Sequence, residues 1–296
     1  MKIIRLFILC PLFMFILACE NDDDQIAPEI PCSTNCKYLY LGHINEKHNA
    51  VDRRIEQVDL SKYDQIWLGG DICSETTKEE STVDYVDSLF HLSSKNTHWS
   101  VGNHDVRNGN TEWITARTGR DLYYSEHKDG LTFLVLNTVY YNSDDCPGLE
   151  VQTAFIQSVC DTISASSHLI VLMHNVVWGY LEGVGDAAEF ANANASWIPF
   201  VCSPPTPFNL AVYPELVEVQ QRGVQVICIA GDMGQVRTTY EFTSNEGVTF
   251  IGSGITSDRP YNEQWPTHGK RDSVLILNHD LVDRNLTWDF IDIDDI

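Results

Sequence analysis

The sequence predicts an α/β domain built on two β-sheets with helices on their outer faces. Three observations carry this. Short β-rich apolar runs alternate with helix-patterned segments from Lys37 onward, the buried runs stop at Gly, Asn, His or Asp, and the C-terminal part reads as strands alone. No internal repeat or low-complexity break interrupts the pattern.

In chain order, residues 38–41, 65–68, 98–101, 131–136, 169–173 and 224–230 are rich in β-branched, aromatic and leucine side chains and are predicted strands. Between them, 83–92, 111–117, 151–163 and 214–221 show helical spacing, the last opening on Pro214, a residue common in first turns. The segments 236–242, 248–251, 273–277 and 286–290 follow one another without helices, which predicts an antiparallel meander.

The N-terminus is a different kind of segment. Lys2 and Arg5 precede an almost unbroken apolar run over residues 6–17, too short for a membrane span and of the right length for a signal-peptide core. It ends in Ile16-Leu17-Ala18-Cys19, which resembles the lipobox of bacterial lipoproteins and makes Cys19 the expected acylation site. The expected organisation is therefore a signal peptide at 1–18, a lipidated flexible tether at 19–36 and a domain at 37–296. The acidic run Glu20 to Asp24 resembles a surface-export signal, a plain solvated linker being the alternative. The expected location is the outer membrane or cell surface, with the periplasmic side left open.

The 19 basic and 42 acidic residues give a formal net charge of −23, and loss of Lys2 and Arg5 with the leader makes it −25. Such a chain is repelled by nucleic-acid phosphates and anionic lipid, which argues against a nucleic-acid binder. It could still act on a phosphate ester if bound cations reverse the local field. With 43% hydrophobic and 10% aromatic residues, a large packed core is available. Seven cysteines follow Cys19, so at least one is unpaired or joined to another molecule; Cys32 and Cys36 are the favoured bridge, and Cys160 and Cys228 read as core.

Polar residues gather where predicted strands end, the place where open α/β sheets hold ligands. Gly70-Asp71 follows one strand, Gly102-Asn103-His104-Asp105 the next, and His174 a later one. Taken in this order, these motifs resemble those of the calcineurin-like metallophosphoesterases, and the resemblance covers nearly all of the chain from Lys37 to Ile296. It implies a four-layer α-β-β-α sandwich of two mixed β-sheets and a metal-dependent hydrolase acting on a phosphomonoester or phosphodiester. In such enzymes two divalent ions about 3.5–4 Å apart clamp the attacking and leaving oxygens. The resemblance makes Asp71 the bridging ligand, with Asn103 and His174 as donors to one ion, a mixed set suited to Mn, Fe or Zn. It gives His104 a substrate-facing role and Asp105 the task of orienting it.

The departures matter equally. The family opens with Asp-x-His, whereas here His43 and Asn45 stand in those places; the family closes with Gly-His-x-His, whereas here Gly231-Asp232-Met233-Gly234 stands. His43 and Asp232 remain usable ligands, Asn45 a weak one, and Gly234 none. One tight metal site and at most a second weak one are therefore expected. His48, Cys73 and His268 are outside candidates, and Trp178 and Tyr180 could line a substrate wall. The expected substrate is a small-molecule or glycan-linked phosphoester. The rival class is a non-catalytic surface lipoprotein that keeps the fold as a binding module. A nuclease would need a hidden basic patch, for which Arg107, Arg117 and Arg120 are the nearest cluster.

Overall fold

The computed structural model describes residues 34–46, 48–139, 146–179, 181–186, 189–192, 208–256 and 272–296. Strand β1 (Asn35–Leu41) leads through a small ribbon, β2 (Asn45–Glu46) and β3 (Ala50–Val51), and helix α1 (Arg53–Glu56) into β4 (Gln65–Leu68). Helix α2 (Glu80–Phe90) joins β4 to β5 (Thr97–Trp99), after which come α3 (Asn103–Val106), α4 (Glu112–Thr118) and the strands β6 (Tyr124–Lys128) and β7 (Leu131–Val135). Then follow α5 (Cys146–Thr162), β8 (His168–Met173), α6 (Phe208–Ala211), α7 (Tyr213–Gln221) and β9 (Gln225–Ala230). The last strands are β10 (Thr239–Thr243), β11 (Thr249–Ser253), β12 (Ser273–Asp280) and β13 (Asn285–Asp292).

Two mixed sheets result. The first has the order β13-β12-β1-β4-β5, with β1, β4 and β5 parallel and β12 antiparallel to β1; the second has the order β10-β11-β9-β8-β7-β6, with β7, β8, β9 and β11 parallel. Strands covered on both faces show no polar alternation: every residue of β4 and of β8 is buried. Edge strand β6 does alternate, half-buried and exposed by turns.

The core explains the layering. Tyr38, Tyr40 and Trp67 of the first sheet share one cluster with Phe133, Ile170, Leu172, Ile227 and Ile229 of the second, so these faces pack on each other. The opposite face of the first sheet, with Leu39, Leu41 and Leu68, packs on Ile55, Val83, Val86 and Phe90 of α1 and α2. The opposite face of the second, with Val171, Val226 and Cys228, packs on Ile156 and Cys160 of α5 and Leu216 and Val219 of α7. The helices present apolar stripes for this purpose, as Val83, Val86 and Phe90 show, and α2 stops where His91 turns left-handed at φ 51°. The expected α/β architecture of two sheets with outer helices is thus observed.

One expectation is corrected. The tail is not a single meander: β10–β11 extends the second sheet, where β11 pairs parallel to β9, and β12–β13 extends the first, where β12 pairs with β1. Local sequence forms each hairpin, but the sheet it joins is decided by which edge is open. The described residues belong to one compact unit, 32–296. Among them no helix is long and apolar enough to cross a membrane. The expected leader, Cys19 and Cys32 lie outside the described residues; Cys36 is disulfide-bonded, while Cys73, Cys160 and Cys228 are free and buried.

Candidate functional site

The parallel strands place the predicted residues together at their C-terminal ends. His43 follows β1, Asp71 follows β4, Asn103 and His104 open α3 after β5, His174 follows β8 and Asp232 follows β9. The ends of the two sheets meet closely because glycines line the junction: a Cβ on Gly231 would lie 2.1 Å from the Gly69 carbonyl oxygen, and one on Gly102 would lie 2.2 Å from Asp71 Oδ1. His43 and Asp71 both adopt left-handed backbone, φ 51° and 55°, which is strained for residues with side chains and persists only where neighbours hold it.

Asp71 is the hub and is only 1% exposed. Its Oδ1 accepts the His104 backbone N–H at 2.8 Å and lies 3.4 Å from His174 Nε2, while its Oδ2 lies 3.9 Å from His43 Nε2 and 3.8 Å from His104 Nε2. Each of these imidazoles is fixed from behind by a main-chain carbonyl: His43 Nδ1 to Ile255 at 3.1 Å, His104 Nδ1 to Ser74 at 2.8 Å, and His174 Nδ1 to Gly69 at 2.8 Å. A carbonyl only accepts, so each Nδ1 carries the proton. In the neutral ring, Nε2 then turns a lone pair toward the carboxylate.

The same logic tightens around His174. Its Nε2 faces Asn103 Oδ1 at 3.2 Å, Asp71 Oδ1 at 3.4 Å and Asp232 Oδ1 at 4.0 Å. With the Asn103 oxygen inward, these are four acceptors facing one another, an arrangement that requires a cation between them. A proton on His174 can serve: burial opposes its charged form, yet Asp71, Asp232, the Gly69 carbonyl and Asp105 together raise its pKa. Burial lifts the Asp71 carboxyl, with His174 and His104 pulling the other way. A metal ion can serve as well. Ligands about 2.1 Å from an ion stand roughly 3.0–3.5 Å from one another, which the Asn103 and Asp71 spacings match and the Asp232 spacing slightly exceeds. Among the described residues no group of three or more His, Cys, Asp and Glu side chains is placed so that it could hold a metal ion. The donor chemistry nevertheless fits an ion, since one donor here is an amide oxygen, and carbonyl-anchored imidazoles are the usual form of histidine ligands.

Not every expected residue plays its expected part. Asn45 donates from Nδ2 to the Asp71 backbone carbonyl at 3.2 Å, so it supports the strained turn at Asp71. Asp105 does not orient His104, and that expectation is corrected. Its Oδ2 accepts Asp71 N–H and Gly102 N–H, both at 2.8 Å, and its Oδ1 accepts Ile72 N–H at 3.0 Å and the Thr76 hydroxyl at 2.6 Å. The partner of His104 is the Ser74 carbonyl, because α3 turns the Asp105 side chain inward beneath the Asp71 loop. His48 is exposed in the β2–β3 turn. The Cys73 thiol is buried, and burial raises its pKa out of the reactive range. Trp178 is wholly buried against Phe250 and so forms no open substrate wall. Tyr180 and His268 lie outside the described residues.

Some participants escaped the sequence. Asn175 donates to Asp232 Oδ2 at 3.2 Å and accepts from the Thr138 hydroxyl at 3.1 Å, so it fixes the carboxylate. Its place directly after His174 at a strand end was the available signal. The carbonyls of Gly69, Ser74 and Ile255 gave none, since every residue has one. Gly234 has φ 120°, and a Cβ there would lie 2.3 Å from the Ile255 carbonyl oxygen, so main chain occupies the space that a side chain at this position would need. No protein-family model matches this sequence, and no curated protein matches it.

Proposed function

We propose that the chain is a metal-dependent phosphoesterase of the metallophosphoesterase type, with a four-layer fold and one tight ion, acting on a phosphomonoester or phosphodiester outside the cytoplasm. The observation that carries this reading is the set of three oxygen acceptors, from Asn103, Asp71 and Asp232, around His174 Nε2. Asp71, Asn103, His174 and Asp232 would hold the ion, of the Mn, Fe or Zn kind. A divalent ion, when bound, supplies Lewis-acid polarisation of a phosphoryl oxygen. His43 and the supporting Asn45 mark at most a second, weaker position. Of the three histidines, His104 is the one with solvent access, its side chain 25% exposed against 4% for His43 and 0% for His174. With Nδ1–H committed to Ser74, its Nε2 is the atom that exchanges a proton with, or donates a hydrogen bond to, a bound phosphoryl group. The substrate is a small-molecule or glycan-linked ester, and the lipid anchor at Cys19 keeps the enzyme at a membrane surface.

Elemental analysis and paired variants test this. The purified protein is expected to hold about one tight transition metal per chain. Asp71→Asn should lower metal content and activity together, since ligation depends on an ionised carboxylate. His104→Ala should retain metal while kcat toward an aryl phosphate falls by roughly a hundredfold or more. The second reading, a binding module without catalysis, is favoured by one feature, the backbone-filled space at Gly234. No metal uptake in excess Mn, Fe or Zn would decide for it.

A further inference from the structure

A closed circuit of hydrogen bonds surrounds His43. On one side the Ile44 carbonyl accepts the Asp52 N–H at 2.8 Å. Asp52 then takes Arg54 by both oxygens, Nε to Oδ1 at 3.0 Å and Nη2 to Oδ2 at 2.9 Å, and the same Nη2 reaches Asp272 Oδ2 at 2.6 Å. Asp272 Oδ1 accepts both the Thr256 N–H and the Thr256 hydroxyl at 2.8 Å. On the far side the neighbouring Ile255 donates its N–H to the Gly42 carbonyl at 3.2 Å, and its own carbonyl accepts from His43 Nδ1 at 3.1 Å.

Both carboxylates are 2% exposed, yet they share one guanidinium. Buried ion pairs are a weak source of stability, because desolvation offsets most of the attraction, and they are better suited to fixing geometry. Arg54 is suited to this because its planar fork can hold two carboxylates at set angles, which an ammonium cannot. What it holds is the pair of segments flanking a histidine in left-handed backbone, φ 51°.

We infer that the Asp52–Arg54–Asp272 bridge is the positioning element for His43, pinning the Ile44 and Ile255 segments so that the imidazole keeps its proton on Nδ1 and its Nε2 toward Asp71. The consequence for metal binding rests on the function proposed above; the consequence for the ring does not. Arg54→Lys preserves the charge and removes the fork, so it is the variant of choice. In the full chain labelled with ¹⁵N-histidine, long-range ¹⁵N–¹H spectra should show His43 as a single Nδ1–H tautomer, assigned by its loss in His43→Gln. Arg54→Lys should convert this to a tautomer mixture and, with Zn²⁺ titrated alone, weaken the second, weaker Zn²⁺ position by roughly 10–100-fold while leaving the tight one nearly unchanged. Leu216→Val, in the core beyond the second sheet, should lower Tm and leave the His43 signal unchanged, which separates positioning from general loosening. If Arg54→Lys does not fold, Asp272→Asn is read in the same way. A folded variant with an unaltered His43 tautomer overturns the inference. Wild-type protein that shows the single tautomer and binds no Zn²⁺ refutes the proposed function and leaves the positioning role intact.

Discussion

At the scale of single residues, Asp71 and Asp105 show how two neighbouring carboxylates come to do different work. Asp71 accepts one backbone N–H on Oδ1, which also faces His174, and keeps Oδ2 toward the imidazoles of His43 and His104, whereas Asp105 uses both oxygens on four donors. The second is a structural clamp joining the Asp71 loop to the start of α3. Asp105→Asn turns an NH₂ group against donors that had an acceptor, and a buried donor left without one costs roughly 1–3 kcal/mol. The expected outcome is a fall in unfolding free energy of about that size in a denaturant titration, with weaker metal binding as the Asp71 loop shifts. Unchanged stability with loss of kcat alone would return Asp105 to the role of orienting His104.

At the scale of elements, the site depends on two sheets approaching at one edge, and glycines at strand ends permit this. Gly234 shows the reverse effect after β9, where backbone occupies the place of a side chain. Gly234→His is therefore expected not to create a second metal position. At φ 120° a side chain is strained by roughly 1–3 kcal/mol, and the Ile255 carbonyl stands in its path. The variant should melt at a lower temperature and bind no more metal than wild type by elemental analysis. A gain of a second tight ion would show that the loop at 254–256 yields readily. The same carbonyl orients His43, so crowding it should also disturb that ring.

At the scale of the whole molecule, charge and buried histidines set the working conditions. Two members of the expected basic cluster are already paired and do little to relieve the formal charge of −23: Arg117 pairs with Glu80 and Asp84, and Arg120 with Glu126 and the carbonyls of Leu92, Ser94 and Thr97, while Arg107 is exposed. Far from the site, burial holds His98 down at about 3 and His168 at about 4, against an ordinary 6.5. His98 Nε2 has no partner, and its ring stacks on Phe133 at 3.9 Å. Between the ordinary and the lowered values the unfolded chain binds protons that the folded chain refuses, so stability is full near neutrality and falls as pH drops below about 6.5. His174, raised in the fold, is protonated in both states below 6.5 and adds nothing to the change there, while the raised Asp71 opposes it. Tm should therefore decline from pH 7 to pH 4, and His98→Phe should flatten the decline. A Tm that holds level to pH 4 in the wild type would contradict this.

The sequence by itself determined the strands, the outer helices and the positions of most candidate ligands, because apolar periodicity and polar strand ends are local signals. His43, Asp71, Asn103, His104, His174 and Asp232 were all legible as polar residues just past buried runs. Tertiary structure alone decided the rest. Which sheet took β10–β11 and which took β12–β13 depended on open edges formed elsewhere. The partner of His104 depended on whether the Ser74 carbonyl or Asp105 lay behind it, and the fate of Asp105 on backbone donors at Asp71, Ile72 and Gly102. Main-chain groups are identical at every position, so their roles leave no mark on side-chain identity; only the folded path of the chain brings a particular carbonyl to a particular ring.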